Sequence, residues 1–322
     1  MGQPPAGTLG DLGEFALVQA LTSRFAAADD ERVLVGPGDD AAVVTVEGAH
    51  VVASLDMLVE GRHFRRDWSS ATDIGRKAAA ENLSDINAMG GRSTALLVGL
   101  GAPGDLEARW AMEFADGLAE ESAILAATVI GGDLTQADVV TISITALGFC
   151  EHGVVRRFGA RPGDVVAMAG RQGWASAGYA VLARGFRSPR SVVDAHRRPQ
   201  PPYDAGPQGA QLGATAMIDV SDGLLQDIGH VATASAVAID VDSRRFDVPE
   251  PLQAVGAALG VDPMRFVLTG GDDYGLVATF PAGTELPQPW RQIGTVHDKG
   301  EPGVVTVDGE PYDDPTGHQH FR

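Results

Sequence analysis

Lysine and cysteine are scarce in this 322-residue chain. Only two lysines occur, Lys77 and Lys299, so nearly all of the 24 basic residues are arginine; they face 43 acidic residues, for a formal charge of −19. An excess of that sign disfavours nonspecific nucleic-acid binding and leaves carboxylates available for cations. Cys150 is the sole cysteine, which excludes an intrachain disulfide and a cysteine-rich zinc site and fits a reducing compartment. No run of about 18 apolar residues occurs, so no membrane helix is expected. The opening "MGQPPAGTLGDLGEF" lacks the basic-then-apolar order of a signal peptide, and Ala6 stands where a myristoylation motif takes Ser or Thr. The P-loop, the dinucleotide G-x-G-x-x-G after a first strand and the protein-kinase motif set are also missing. These absences predict a soluble cytoplasmic enzyme, one that would hold any nucleotide phosphates through metals.

At 44% hydrophobic residues, the chain is long enough for two domains. "LGEFALVQALTSRF" carries apolar residues at helical spacing, and so does "DLEARWAMEFADGLAEESAIL", where Leu106, Trp110, Phe114 and Leu118 recur every four residues. "SATDIGRKAAAENLSDINAMGG" reads as a helix capped by Ser or Thr and stopped by Gly90 and Gly91. "RVLVG", "AAVVTVE", "HVVASLDMLVEG" and "VVTISITALGF" read as strands, the last half-buried by its alternation. The Pro-, Arg- and Gly-rich "RSPRSVVDAHRRPQPPYDAGPQG" reads as a surface loop, and "RFVLTGGDDYGLVATF" as strand, loop, strand. Several neighbouring strands lack crossover helices, which argues against an all-parallel sheet. The expectation is two mixed α/β domains with helices packed on sheets, dividing at 1–150 and 151–322.

Aspartate recurs beside Gly or Ser at strand ends: Asp39 and Asp40, Asp56, Asp133, Asp219 and Asp222, Asp272 and Asp273; Asp85 lies on a predicted helix. Hard divalent cations take such oxygen ligands, and Mg²⁺ commonly bridges carboxylates to phosphates. Each motif alone reads more readily as a turn than as a site; Asp222 could cap a helix, and Asp85 could pair with Arg76. On the residues alone, a Mg²⁺–phosphate enzyme and a protein that binds divalent metal without catalysis both stay open.

In their order, "GEF", "GPGDDAAVV", "SLDMLVEGRHF", "NLSDINAMGG", "IGGDLTQ", "GARPGDVV", "IDVSDGL", "TGGDDYGL" and "IGTV" resemble the thiamine-monophosphate kinase family, within the superfamily that includes aminoimidazole ribonucleotide synthetase. The resemblance covers nearly the whole chain. It implies transfer of a phosphoryl group from ATP to thiamine monophosphate, several Mg²⁺ ions, and a homodimer formed through the N-terminal domains. By matching position, it implies metal contacts at Asp40, Ser54, Leu55 (through its backbone), Asp56, Asp85, Asp133, Asp219 and Asp222. It implies a nucleotide-phosphate loop at Gly132 and Asp133, ATP contacts at Arg157 and Ser221, and substrate contacts at His63 and Asp272. Asp272 is often Glu in that family. Pro315 and His318 stand where relatives often carry an aromatic residue. The absence of Cys at either end disfavours the selenophosphate-synthetase and hydrogenase-maturation branches. An enzyme of the superfamily acting on another small substrate is the remaining rival.

Overall fold

The computed structural model of the chain describes residues 33–35, 39–46, 49–298 and 301–318. The helix expected in "LGEFALVQALTSRF" and the "GEF" motif lie outside the described residues, as do Gly36 to Gly38 of "GPGDD" and the last four residues.

Val-rich segments pair into a first sheet of order β1-β2-β3-β6-β4-β5. Its strands are β1 (Val33–Val35), β2 (Ala42–Val46), β3 (Ala49–Val59), β4 (Arg92–Ala102), β5 (Thr128–Gln136) and β6 (Thr141–Phe149). All described pairs are antiparallel except β4–β5. Alternation decides what is buried: Val52, Leu58, Leu96, Ile142 and Ile144 face the core, while Leu55, Met57 and Leu97 face outward. Two helices cover the inner face, α1 (Ala71–Ala88) and α2 (Ala108–Ala123). Helix α1 starts as expected. Ser70 accepts from the Asp73 amide while Asp73 accepts from the Ser70 amide, a reciprocal cap, and the helix gives way to Gly90 at φ +79°.

The second sheet has order β13-β12-β9-β11-β7-β10-β8. It holds β7 (Val165–Ala169), β8 (Ala216–Val220), β9 (Ala238–Val241), β10 (Gly275–Phe280), β11 (Arg291–His297), β12 (Val305–Val307) and β13 (Glu310–Pro311). Both faces are covered. Val166 and Met168 pack under α3 (Trp174–Ala183), α4 (Arg190–Arg197), α6 (Leu224–Ser235), α7 (Glu250–Leu259) and α8 (Met264–Thr269). Ala167 and Ala169 face the opposite layer with Phe280, Trp290 and α5 (Ala205–Gln211). One 3₁₀ turn, Ser243–Arg245, follows β9.

Two expectations fail. The segment read as surface loop contains α4 and most of α5, and Val192, Val193, Ala195 and His196 are buried. Its Pro and Arg residues flank the helices and mask a short apolar stripe. "MRFVLT" is helix α8, not a strand: it runs between Pro263 and Gly270 and buries Val267 and Leu268 against the second core. Tertiary packing overrides the β-propensity of its residues.

The α1–α2 crossing is close because both helices present glycine. A Cβ on Gly75 would lie 2.2 Å from the Phe114 carbonyl oxygen, and one on Gly117 2.1 Å from the Thr72 oxygen. Alanine gains about 1 kcal/mol of helix propensity over glycine, but the clash is with backbone, which cannot rotate away. Overpacking typically costs about 1–3 kcal/mol. Gly117→Ala is therefore expected to destabilise the fold by about 1 kcal/mol net, read as a lower denaturant midpoint with unchanged slope.

Candidate active site

A cleft of about 610 Å³ opens between the two halves. Helix α1 forms its floor. Lys77, Glu81 and Asp85 are spaced four residues apart, so they make one stripe down the helix, and all three line the cleft. Asp56 enters from β3 and Asp219 lies buried on β8.

At the Asp85 end, carboxylates crowd together. The Ser54 hydroxyl donates to Asp85 and that of Ser84 to Asp219, the latter at 2.7 Å. Arg157 donates to Asp40 Oδ1 at 2.6 Å, and its backbone amide donates to Asp39. Burial raises the Asp219 pKa from 3.8 to about 8, with repulsion from Asp40 and Asp56 adding to it. Burial raises that of Asp40 to about 6 even though Arg157 opposes the shift. Asp85 is raised well above the carboxylate range by burial and then by Asp56 and Asp219. Glu81 is raised by burial and by Asp56.

At the Lys77 end the balance reverses. Lys77 Nζ lies 2.7 Å from Asp272 Oδ2, and although burial opposes ionisation, this ammonium holds the Asp272 pKa below its ordinary value. Asp272 sits at φ +66° and Tyr274 at φ +51°, backbone strain of the kind that gathers at working sites. Amides of both donate to the neighbouring loop, to Ser221 O at 2.9 Å and Val220 O at 3.2 Å. A Cβ on Gly271 would lie 2.0 Å from that Ser221 oxygen, so this crossing requires glycine. His63 Nδ1 accepts from the Val59 amide at 2.9 Å, which fixes the neutral tautomer with hydrogen on Nε2.

The expected residues thus fall into groups. Asp56, His63, Asp85, Ser221, Asp222 and Asp272 line one cleft. Asp40, Ser54, Arg157 and Asp219 connect to its Asp85 end through hydrogen bonds or charge. Leu55 turns its side chain to the opposite face of the sheet, where it is exposed. Asp133 shares that face, in the row Met57–Ser143–Gly99–Asp133 across the sheet, and is not brought to the other carboxylates within one chain. Gly132 lies inside strand β5 rather than in a loop; a Cβ there would meet the Val98 oxygen at 1.9 Å. Asp222 does not cap α6. Asp227, inside the first turn, instead accepts from the amides of Asp222 and Gly223 at 3.1 Å each. Arg76 pairs with Glu121 and Glu120 rather than Asp85. His318 lines the cleft.

Sequence reading missed Lys77, Glu81 and His196 as site residues. The i, i+4, i+8 spacing of Lys77, Glu81 and Asp85 was the available signal for the first two. His196 had none, because its helix was read as loop.

The donor set fits a hard cation. Asp40 Oδ2 and Glu81 Oε2 are buried oxygens without a hydrogen-bond partner among the described residues. Among those residues no three Asp, Glu, His or Cys side chains stand where they could hold one ion together. One or two carboxylates per ion, completed by water and phosphate oxygens, is the ordinary habit of Mg²⁺.

Comparison with known proteins gives the family. Residues 38–150 match the family model "AIR synthase related protein, N-terminal domain", and residues 161–306 match the corresponding C-terminal domain. The chain belongs to the AIR synthase related family. Within it, the chain is 44% identical to the thiamine-monophosphate kinase of Mycobacterium tuberculosis, over 98% of this chain and 93% of that one. It is 36% identical to the enzyme of that name from Corynebacterium glutamicum, over 94% and 91%. The solved complex of AaThiL with AMPPCP and TMP superposes with a TM-score of 0.89 at 31% identity, covering 98% of this chain and 99% of that one. These relatives put the chain in the thiamine-monophosphate kinase branch of the family.

The raised pKa values set a pH dependence. Asp219 binds its proton more tightly when folded, so its contribution favours the native state at low pH. That contribution is lost as pH rises from about 4 towards about 8. In chelator, the melting temperature is expected to be lower at pH 8 than at pH 6. Asp219→Asn and Asp85→Asn are each expected to flatten that slope. Thermal melts at the two pH values check this, and an unchanged slope in both variants would contradict the assigned repulsion.

Proposed function

We propose that this cleft transfers the γ-phosphoryl group of ATP to thiamine monophosphate, giving thiamine diphosphate and ADP. The observation that carries the reading is the α1 stripe. It joins a cation-seeking carboxylate end to a Lys77–Asp272 end inside one cleft, in a chain of this family. A phosphate oxygen of the acceptor attacks the γ-phosphorus in line. It is already anionic, so the reaction needs neither a general base nor a covalent enzyme nucleophile, and positioning carries most of the catalysis.

Mg²⁺, when bound, supplies neutralisation of the charge that develops on the transferring group. Asp40, Asp56, Asp85, Asp219 and Asp222, with Ser54 and the Leu55 backbone, would hold such ions. Arg157, which donates to Asp40, would meet a nucleotide phosphate together with Ser221 if a cation took its place at Asp40. His63 and Asp272 orient the acceptor, and Lys77 keeps Asp272 ionised and in place. No described helix is long and apolar enough to cross a membrane, and with the acidic composition this supports a cytoplasmic enzyme.

The same reading includes a homodimer through the N-terminal sheet. Among the described residues, the outer face of that sheet carries no covering helix. Leu55 is 55% exposed, Met57 51% and Leu97 40%. An apolar face of this kind marks an interaction surface. Asp133 lies on it, which favours a nucleotide contact made across the pair, together with Gly132, rather than within one chain.

A coupled assay for thiamine diphosphate, with and without Mg²⁺, tests the function directly. In it, Asp85→Asn is expected to lose at least about a hundredfold in activity while its melting temperature in chelator is unchanged or slightly higher. Near-wild-type turnover at ordinary Mg²⁺ would remove Asp85 from the site. Met57→Asp is expected to shift the protein from dimer to monomer in sedimentation velocity. A wild-type protein that sediments as a monomer at all concentrations would remove the dimer.

A further inference from the structure

We propose that Trp68, Tyr179 and His196 form the subsite for the heteroaromatic cation of the acceptor, and that ring faces rather than a carboxylate recognise its positive charge. The proposal rests on the functional reading above and names the part of the cleft that reads the thiazolium.

The three rings come from different parts of the fold. Trp68 precedes α1 in the first half, Tyr179 lies on α3 and His196 on α4 in the second. They meet at the cleft wall, with centroids 5.8 Å apart for Trp68–Tyr179, 6.1 Å for Trp68–His196 and 6.0 Å for Tyr179–His196. Every pair is tilted or edge-on, with interplanar angles of 57° to 70°, so the rings enclose a corner instead of stacking shut. All three line the cleft, and Tyr179 is 55% exposed. The corner already accommodates a cation: the Arg65 guanidinium lies 4.8 Å from the Trp68 ring centroid. Arg65 is itself half exposed and held by the equally exposed Asp67, so it can yield the place.

Carboxylates at this end are committed elsewhere. Asp272 is engaged by Lys77, Asp67 by Arg65 and Asp73 by Arg198. His196 contributes no opposing charge: burial, and then the nearby Lys77, lower its pKa to about 3. Its buried Nδ1 has no hydrogen-bond partner among the described residues, and the nearest carboxylate oxygen, on Asp272, is 3.8 Å away. That nitrogen can accept from an amino group on a heteroaromatic ligand. Adenine could stack on the same rings, but it carries no charge, and the corner adjoins Asp272 and Lys77, at the far end of the α1 stripe from Asp85.

The test uses the full chain and calorimetric titration with two probes: thiamine monophosphate and its thiophene (3-deaza) analogue, which has the same shape without the charge. Wild type is expected to bind the charged form at least about tenfold more tightly. In Tyr179→Leu and Trp68→Leu the preference should fall to about twofold or less, with the KM for thiamine monophosphate raised and that for ATP unchanged. Tyr179 is exposed, so its variant stays informative even where Trp68→Leu loses stability. Equal binding of both probes by wild type, an undiminished preference in the Tyr179 variant, or a rise confined to the KM for ATP overturns the subsite. Wild-type turnover of thiamine monophosphate is measured alongside, and its absence overturns the functional reading instead.

Discussion

Crowding of buried carboxylates is the constraint around which this fold is arranged. Asp40 just before β2, Asp56 within β3, Asp219 near the end of β8 and Asp85 on α1 converge, and burial together with repulsion from neighbouring carboxylates opposes ionisation of Asp40, Asp85 and Asp219. Neighbouring groups offset only part of that cost. Arg157 reaches across from the segment joining the two sheets to hold Asp39 and Asp40, and the hydroxyls of Ser54 and Ser84 satisfy Asp85 and Asp219. A protein does not bury such a set for stability, since paired apolar side chains would serve better. The close helix crossing at Gly75 and Gly117, the glycine crossing at Gly271 and the left-handed Asp272 and Tyr274 all bring backbone and charge to one cleft at some expense. A bound cation relieves the repulsion, so the ligand-free fold is poised to take one up.

Where periodicity was long, the sequence was readable. Eighteen residues of α1 with Ser70 before them and glycine after them, or the alternation of β6, leave little choice of structure. Short elements were harder. Helix α4 has eight residues hidden among arginines and prolines, and α8 has six with strand-like composition; only contact with the second core decides their conformation. The aspartates of the site were visible because Gly and Ser accompany them. Lys77 and Glu81 were not singled out, because a charge on a helix reads as solvated until the opposite wall is known. Which face of the sheet Asp133 occupies depends on register across four strands, and no local pattern reports that.

The two ends of the cleft also divide the electrostatic labour. One end is left short of positive charge and the other is nearly balanced by a single ammonium. In a chain with two lysines, placing one of them here is a specific use of a rare side chain. Its compact charge on a flexible stem, unlike the broad fork of an arginine, fits beside one carboxylate oxygen without blocking the cleft.

Helix α1 is straight-chain scaffolding that doubles as a gauge. Eight residues separate Lys77 from Asp85, which at about 1.5 Å of rise each is about 12 Å, and no loop motion can stretch that interval. The interval between the carboxylate end and the ammonium end is therefore set by helix pitch, and the two ends of the cleft keep their separation whatever the loops around them do.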